Sequence, residues 1–219
     1  MSTSTTSVSA QGTTPVLREE SVALQFDFPQ PIDKAVLNTL PLSRYDGPIH
    51  LINQNDQVDA AVATLSQATI LGFDTETRPS FRRGDNYPVA LLQLASDDGV
   101  WLFRLNQLDN TRPLADLLAN ETVLKVGVAI RDDIRALQKR FDFEPGGFVE
   151  ISQITTRLKI TNTGLRALVG IFLGERVSKS AQVTNWARQE LTDAQLHYAA
   201  NDAWVSRRLY QHLLDHGYV

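Results

Sequence analysis

Short runs of consecutive apolar residues alternate along this chain with segments whose apolar positions recur every three or four residues. Residues 49–52 read as a short strand. Asp56 follows as a candidate N-cap, and Val58, Ala61, Val62, Leu65 and Ala68 then predict a helix. Residues 69–73 form a compact apolar run, which predicts a buried strand ending at Asp74. Two further strands are predicted at 89–95 and 100–104, separated by the turn signal Asp97-Asp98-Gly99, and the three runs together read as a β-meander. The pattern then changes. Residues 114–118 predict a short helix, 124–128 another apolar strand, and 132–141 a helix carrying Ile134, Leu137 and Phe141. From Ile151 the chain reads as mostly helical, with Gly164, Gly170 and Gly174 as punctuation and a last helix from an N-cap at Thr192 to about Asp215. Strands, then strand–helix alternation, then helices describe one mixed-sheet α/β domain.

The N-terminal part does not share this patterning. Residues 2–14 are dominated by Ser and Thr, and Pro29, Pro31, Pro41 and Pro48 break up the stretch that follows. Residues 1–45 are therefore expected to be a disordered or irregular extension, and 46–219 the folded domain. No apolar run approaches the length of a membrane helix, and the first residues lack the basic start and apolar core of a signal peptide, so the expected location is the cytoplasm with no membrane partner. Composition narrows the chemistry. With no cysteine and only four histidines, thiol nucleophiles and Cys-ligated metals are excluded, and a metal must sit mainly on oxygen. A net charge of −4 argues against wrapping nucleic acid by overall basicity, while leaving a local basic groove open.

The informative polar residues are carboxylates at the ends of apolar runs. Asp74 and Glu76 are two apart, so in an extended chain they share a face and converge. Two such charges repel unless a cation lies between them, and a hard divalent ion fits oxygen ligands. The plainer alternative is that Asp74 ends the strand and Glu76 faces solvent. Asp133 opens a helix, where capping alone explains an acid, with Asp132 free to take that role while Asp133 turns inward. Tyr198 and Asp202 are four apart in the last helix and share a face; a mid-helix Asp beside the small residues Ala199 and Ala200 calls for a reason.

Taken in order, Phe73-Asp74-Thr75-Glu76, Gly127-Val128-Ala129-Ile130-Arg131-Asp132-Asp133 and Tyr198-Ala199-Ala200-Asn201-Asp202 resemble the three exonuclease motifs of the DEDD superfamily. The similarity is to its tyrosine subclass (DEDDy), which contains ribonuclease D and the exonuclease domain of the Werner syndrome protein. Val89-Ala90-Leu91-Leu92-Gln93-Leu94 and Lys179-Ser180, Asn185-Trp186, Leu191 and Gln195 are similar to the connecting text, so the resemblance runs from about residue 50 to 215.

The resemblance implies a ribonuclease H-like mixed β-sheet flanked by helices, and a 3′-5′ exonuclease that hydrolyses phosphodiesters from nucleic-acid 3′ ends and releases nucleoside monophosphates. It implies two divalent ions, Mg²⁺ with Mn²⁺ as substitute, on Asp74, Glu76, Asp133 and Asp202. Asp74 would bridge the ions, Glu76 and Asp202 would complete the nucleophile side, Asp133 would hold the other ion, and Tyr198 would orient the attacking water. His197 also fits the spacing of a histidine subclass. A helix starting near Thr192, however, turns His197 about 140° away from Asp202, so Tyr198 is the expected residue and His197 a surface one.

Arg78, Arg82 and Arg83 follow Glu76 and are candidates for holding phosphate, as are Lys179 and Gln182 before the last helix; a solvated charged loop is the alternative. Trp186 and Trp204 read as core aromatics, Gln93 as structural or nucleotide-facing, and Arg207-Arg208 and Lys139-Arg140 as ordinary helix surface. The competing function is a catalytically inactive nucleic-acid-binding or scaffold domain, whose usual mark is replacement of an acid. Preference for RNA or DNA and oligomeric state are not legible.

Overall fold

The computed structural model describes residues 31–219 except 81, 83 and 85. Strand β1 (Ile49–Ile52) is followed by helix α2 (Val58–Leu65), after a short first helix α1 (Lys34–Thr39). The meander is present: β2 (Ile70–Thr77), β3 (Val89–Ala95) and β4 (Val100–Arg104) pair antiparallel in sequence. Next come α3 (Arg112–Ala119), β5 (Leu124–Gly127), α4 (Arg131–Gln138), β6 (Phe148–Glu150), α5 (Ile151–Arg157), α6 (Leu165–Leu173) and the long α7 (Asp193–Asp215). The six strands form one sheet in the order β1-β4-β3-β2-β5-β6, with β1, β5 and β6 joined by parallel pairings. The mixed α/β reading is correct. The three-residue edge strand β6 was not anticipated, being too short to show a period.

Alternation along β2 decides what lies on each side of the sheet. Leu71 and Phe73 enter a core shared with α2, α3 and α4. Gly72 faces the opposite layer, where α7 crosses β2 and β3. That crossing is close. A Cβ at Gly72 would come within 1.9 Å of the Ala203 carbonyl oxygen, so the strand and helix can approach only with glycine there. Ala199, Ala200 and Ala203, all fully buried, complete the contact with Leu91, Ala95 and Leu102. The small residues around Asp202 thus have their reason: they bring the helix down onto the sheet.

Thr192 caps α7 as expected, exchanging hydrogen bonds with Gln195 in a capping box. The loop before it is tied to the sheet by buried Arg104, whose guanidinium donates to the carbonyls of Arg188 and Gln189. Trp186 is fully buried, as a core aromatic should be, and Trp204 is half-buried against Tyr45.

Two expectations need adjustment. Of the arginines read as plain helix surface, Arg207 donates to the Ile70 carbonyl and to Asp97, and Arg208 forms a two-pronged pair with Glu175 while lying over Trp204. Arg140 donates to the carbonyls of Leu105 and Leu108. Each reaches a distant segment of the chain, which helical spacing alone does not reveal. Residues 1–30 of the expected N-terminal extension lie outside the described residues. Residues 31–45 hold α1 and otherwise run irregularly, but press Ile32, Leu37 and Tyr45 into the core. Among the described residues, no helix is long and apolar enough to cross a membrane.

Candidate active site

Strand β2 does not stop at Asp74. It continues to Thr77 because β3 keeps pairing with it, Asp74 against Gln93 and Glu76 against Leu91, before the register shifts between Glu76 and Thr77. Both acids are therefore carried on a paired central strand rather than a loop end. They lie on the α7 face, and α7 supplies Asp202 from above. Carboxylate oxygens of Asp74, Glu76 and Asp202 all come within 4.8 Å of one another. Asp202 is only 5% exposed, and its Oδ1 has no hydrogen-bond donor among the described residues. These residues fit a hard cation: every donor is oxygen, and a buried acceptor is left that a cation would satisfy.

Asp133 approaches from the other side of the sheet. Thr75, between the two acids of β2, points toward α4, and its hydroxyl donates to Asp133 Oδ1. Asp133 therefore adjoins the three-acid group without belonging to it. Asp132, one residue earlier, is exposed and pairs with Arg135 instead of capping α4, whose N-cap is Ile130 with no side-chain cap bond.

Crowding is expressed in proton affinity. Burial pushes Asp74 well above the ordinary carboxylate range, the charges of Asp202 and Asp133 push it further, and the Thr75 backbone N–H pulls it partly back. Burial, then the charges of Asp74, Asp202 and Asp133, push Glu76 up to about 10. Burial raises Asp202 to about 7 against the opposing effect of hydrogen bonding from Tyr198. Asp133 is also raised by burial, with the Thr75 hydroxyl opposing. Tyr198 is raised by burial and by the charges of Asp202 and Glu76, so it stays a protonated donor at neutral pH. His197, by contrast, is exposed, with its Nδ1 2.8 Å from the Asp193 carbonyl oxygen on its own helix.

A cavity of about 540 Å³ opens over the acids. Asp74, Glu76, Tyr198 and Asp202 line it, and so do Lys179 and Gln182. Arg78 and Arg82 are exposed in the loop after β2, outside this lining; the Arg78 guanidinium lies 4.6 Å from the Tyr87 ring centroid. Arg83 lies outside the described residues. Gln93 is fully buried opposite Asp74, not in the cavity wall. The reading by sequence missed Thr75, and it missed Lys34 and Arg166, which line the same cavity. Thr75 was detectable in principle, since its alternation with Asp74 and Glu76 sends it to the opposite face. Lys34 and Arg166 carried no local signal.

An α/β sheet with this strand order and an acid centre where its central strand meets a crossing helix defines a ribonuclease H-like fold with a carboxylate site. A family described as 3'-5' exonuclease matches residues 49–217, and the chain belongs to it. Members of this family depend on divalent metal. The chain is 34% identical over 155 residues to the bifunctional 3'-5' exonuclease/ATP-dependent helicase WRN of Mus musculus, covering 68% of this chain and 11% of that protein. It is 32% identical over 152 residues to ribonuclease D of Haemophilus influenzae, covering 68% of this chain and 37% of that one. The fold matches the crystal structure of the Aedes aegypti Nibbler EXO domain with a TM-score of 0.72 at 24% identity, over 78% of this chain and 91% of that one. The chain thus spans well under half the length of these two relatives.

Proposed function

We propose that this chain is a 3′-5′ exonuclease that removes nucleoside monophosphates from a free nucleic-acid 3′ end. The observation that carries the reading is the convergence of Asp74, Glu76 and Asp202 beneath an open cavity, with Asp133 alongside. A cluster so repulsive is costly in a fold and is explained by the cations it would hold. Two divalent cations, when bound, lower the pKa of water and offset the charge that builds on the departing 3′ oxygen. Mg²⁺ is the proposed ion and Mn²⁺ its substitute, since hard oxygen ligands suit both.

In this reading Asp74, Glu76 and Asp202 would hold one ion, and Asp133 with Asp74 would help to hold the second. Tyr198, protonated and directed at Asp202, orients the attacking water. Lys179 and Gln182 at the cavity wall contact the substrate backbone, and Arg78 and Arg82, exposed in the loop after β2, supply a basic rim. With cations bound, the local sign of the acidic site reverses where phosphate must sit. The substrate is DNA or RNA with an accessible 3′ terminus, and matched oligonucleotides decide between them. A cytoplasmic location belongs to the same proposal and is checked by fractionating cells that express the tagged chain.

End-labelled single-stranded DNA and RNA oligonucleotides incubated with the protein and Mg²⁺ or Mn²⁺ are expected to shorten stepwise from the 3′ end. No shortening with either ion, or activity that survives Asp74→Ala, overturns the proposal and leaves a nucleic-acid-binding scaffold.

A further inference from the structure

After β5 ends at Gly127, the chain turns through Val128, Ala129 and Ile130 into α4, which carries Asp133. Ala129 adopts φ +62°, the left-handed region that residues with a Cβ disfavour. Ile130, the N-cap of α4, has φ −77° and ψ −4°. A left-handed residue followed by a right-handed one turns two consecutive amide N–H groups to the same side, a concavity that attracts an anion.

The anion is the side chain of Glu150. Its Oε1 accepts from Ala129 N and its Oε2 from Ile130 N, each at 2.7 Å. Register brings it there, because Glu150 ends β6 directly opposite Gly127 at the end of β5. Oε1 also accepts from Ser152 Oγ at 2.6 Å and from Ser152 N at 3.1 Å, which caps α5. One carboxylate thus joins the starts of two helices and holds a strained turn in place.

We propose that Glu150 is a positioning residue for the reaction, acting through Asp133; this rests on the exonuclease reading above. The Asp133 carboxylate is constrained at two points. Thr75 holds its oxygen, and the Glu150 clamp sets the backbone turn from which the first turn of α4 is aimed. Loosening the clamp lets Ala129 relax from its left-handed conformation, and Asp133 moves with the helix start. Asp74, Glu76 and Asp202 stand on β2 and α7 and are not touched by the change.

The test uses the full chain with Glu150→Gln, which keeps side-chain length and one acceptor for the α5 cap but sets an NH₂ against an amide donor. Ser152→Ala serves as a control that removes only the Oγ hydrogen bond to Oε1 and leaves the backbone cap and the bonds to Ala129 and Ile130 in place. Calorimetric Mn²⁺ titration of Glu150→Gln is expected to show one of two sites weakened by about 10–100-fold, with kcat on a single-stranded oligonucleotide down by a similar factor. KM stays within about twofold and excess Mn²⁺ restores part of kcat. Ser152→Ala keeps wild-type metal binding and kcat. A folded Glu150→Gln protein with two wild-type Mn²⁺ sites overturns the proposal. So does equal weakening of both sites together with a collapse in Tm, which marks a general structural role. If the wild-type protein binds Mn²⁺ but does not cut, the exonuclease reading fails, while the Mn²⁺ titration still decides the positioning role.

Discussion

Two neighbouring strands each bury charge, and they handle it in opposite ways. On β5, Lys125 is fully buried, yet its ammonium donates to the carbonyls of Leu117, Asn120 and Val123 and lies 5.2 Å from the Phe148 ring centroid. Every donor of that cation has an acceptor, and the bonds close the end of α3 on the sheet. On β2, Asp74 and Glu76 face Asp202 with no arginine or lysine ion-paired to any of the three among the described residues. A charge buried for the fold arrives with its partners; one buried for a ligand is left short of them. Protonation relieves the second arrangement, because burial raises the proton affinity of Asp74, Glu76 and Asp202.

This contrast can be broken experimentally. The largest effect is expected from Asp74→Ala, which should lower oligonucleotide degradation on the order of 10³-fold. The related Asp74→Asn should raise Tm in EDTA, because it removes like-charge repulsion; each kcal/mol relieved is worth about 2–4 °C at this chain size. A lower Tm would mean that Asp74 serves the fold as Lys125 does.

Tyr198→Phe comes next. It should reduce kcat by about 10²-fold, whereas His197→Ala leaves kcat within about twofold. The reverse ranking in the same nuclease assay removes Tyr198 from its role.

Lys125→Met should do the converse of the acid substitutions. It removes the ammonium's hydrogen bonds to the carbonyls of Leu117, Asn120 and Val123 and should destabilise by about 2–4 kcal/mol in urea unfolding, with activity per folded molecule unchanged.

The mildest effect is on pH dependence. Between the unfolded carboxylate range near about 4 and the folded values of about 7 for Asp202 and about 10 for Glu76, the native state holds protons that the unfolded chain releases. Stability of the metal-free protein should therefore fall as pH rises from about 5 to about 8, and Mn²⁺ should flatten the slope by favouring the charged forms. Lys125 works in the opposite sense: burial lowers it to about 8, so above that value its contribution increases stability with rising pH. Differential scanning fluorimetry from about pH 5 to about pH 10, with EDTA and with Mn²⁺, separates the two. A metal-free Tm that rises between about pH 5 and pH 8 contradicts the repulsive cluster.

Much of this architecture was legible beforehand. The apolar runs located the meander and β5, and Thr192 marked the start of α7, because these signals are local: burial of one face imposes a period, and a cap needs a hydroxyl at one position. β6 and the ties made by Arg104, Arg140, Arg207 and Arg208 were not legible, since a three-residue strand has no period and a long cationic side chain does not announce which carbonyl it will meet.

At the site, the chain's order of residues determined which groups carry chemistry. Asp74 and Glu76 share a face because strands alternate, and Tyr198 accompanies Asp202 because helices repeat every 3.6 residues. Tertiary structure alone decided how these faces meet. Gly72 and the alanines of α7 let the helix lie close enough for Asp202 to join β2. The same alternation sends Thr75 through the sheet to Asp133, and parallel pairing of β5 with β6 sets Glu150 against Ala129 and Ile130, 20 residues distant from Ile130 along the chain. Contacts across such separations follow from sheet register and layer packing, and no local pattern of residues encodes either.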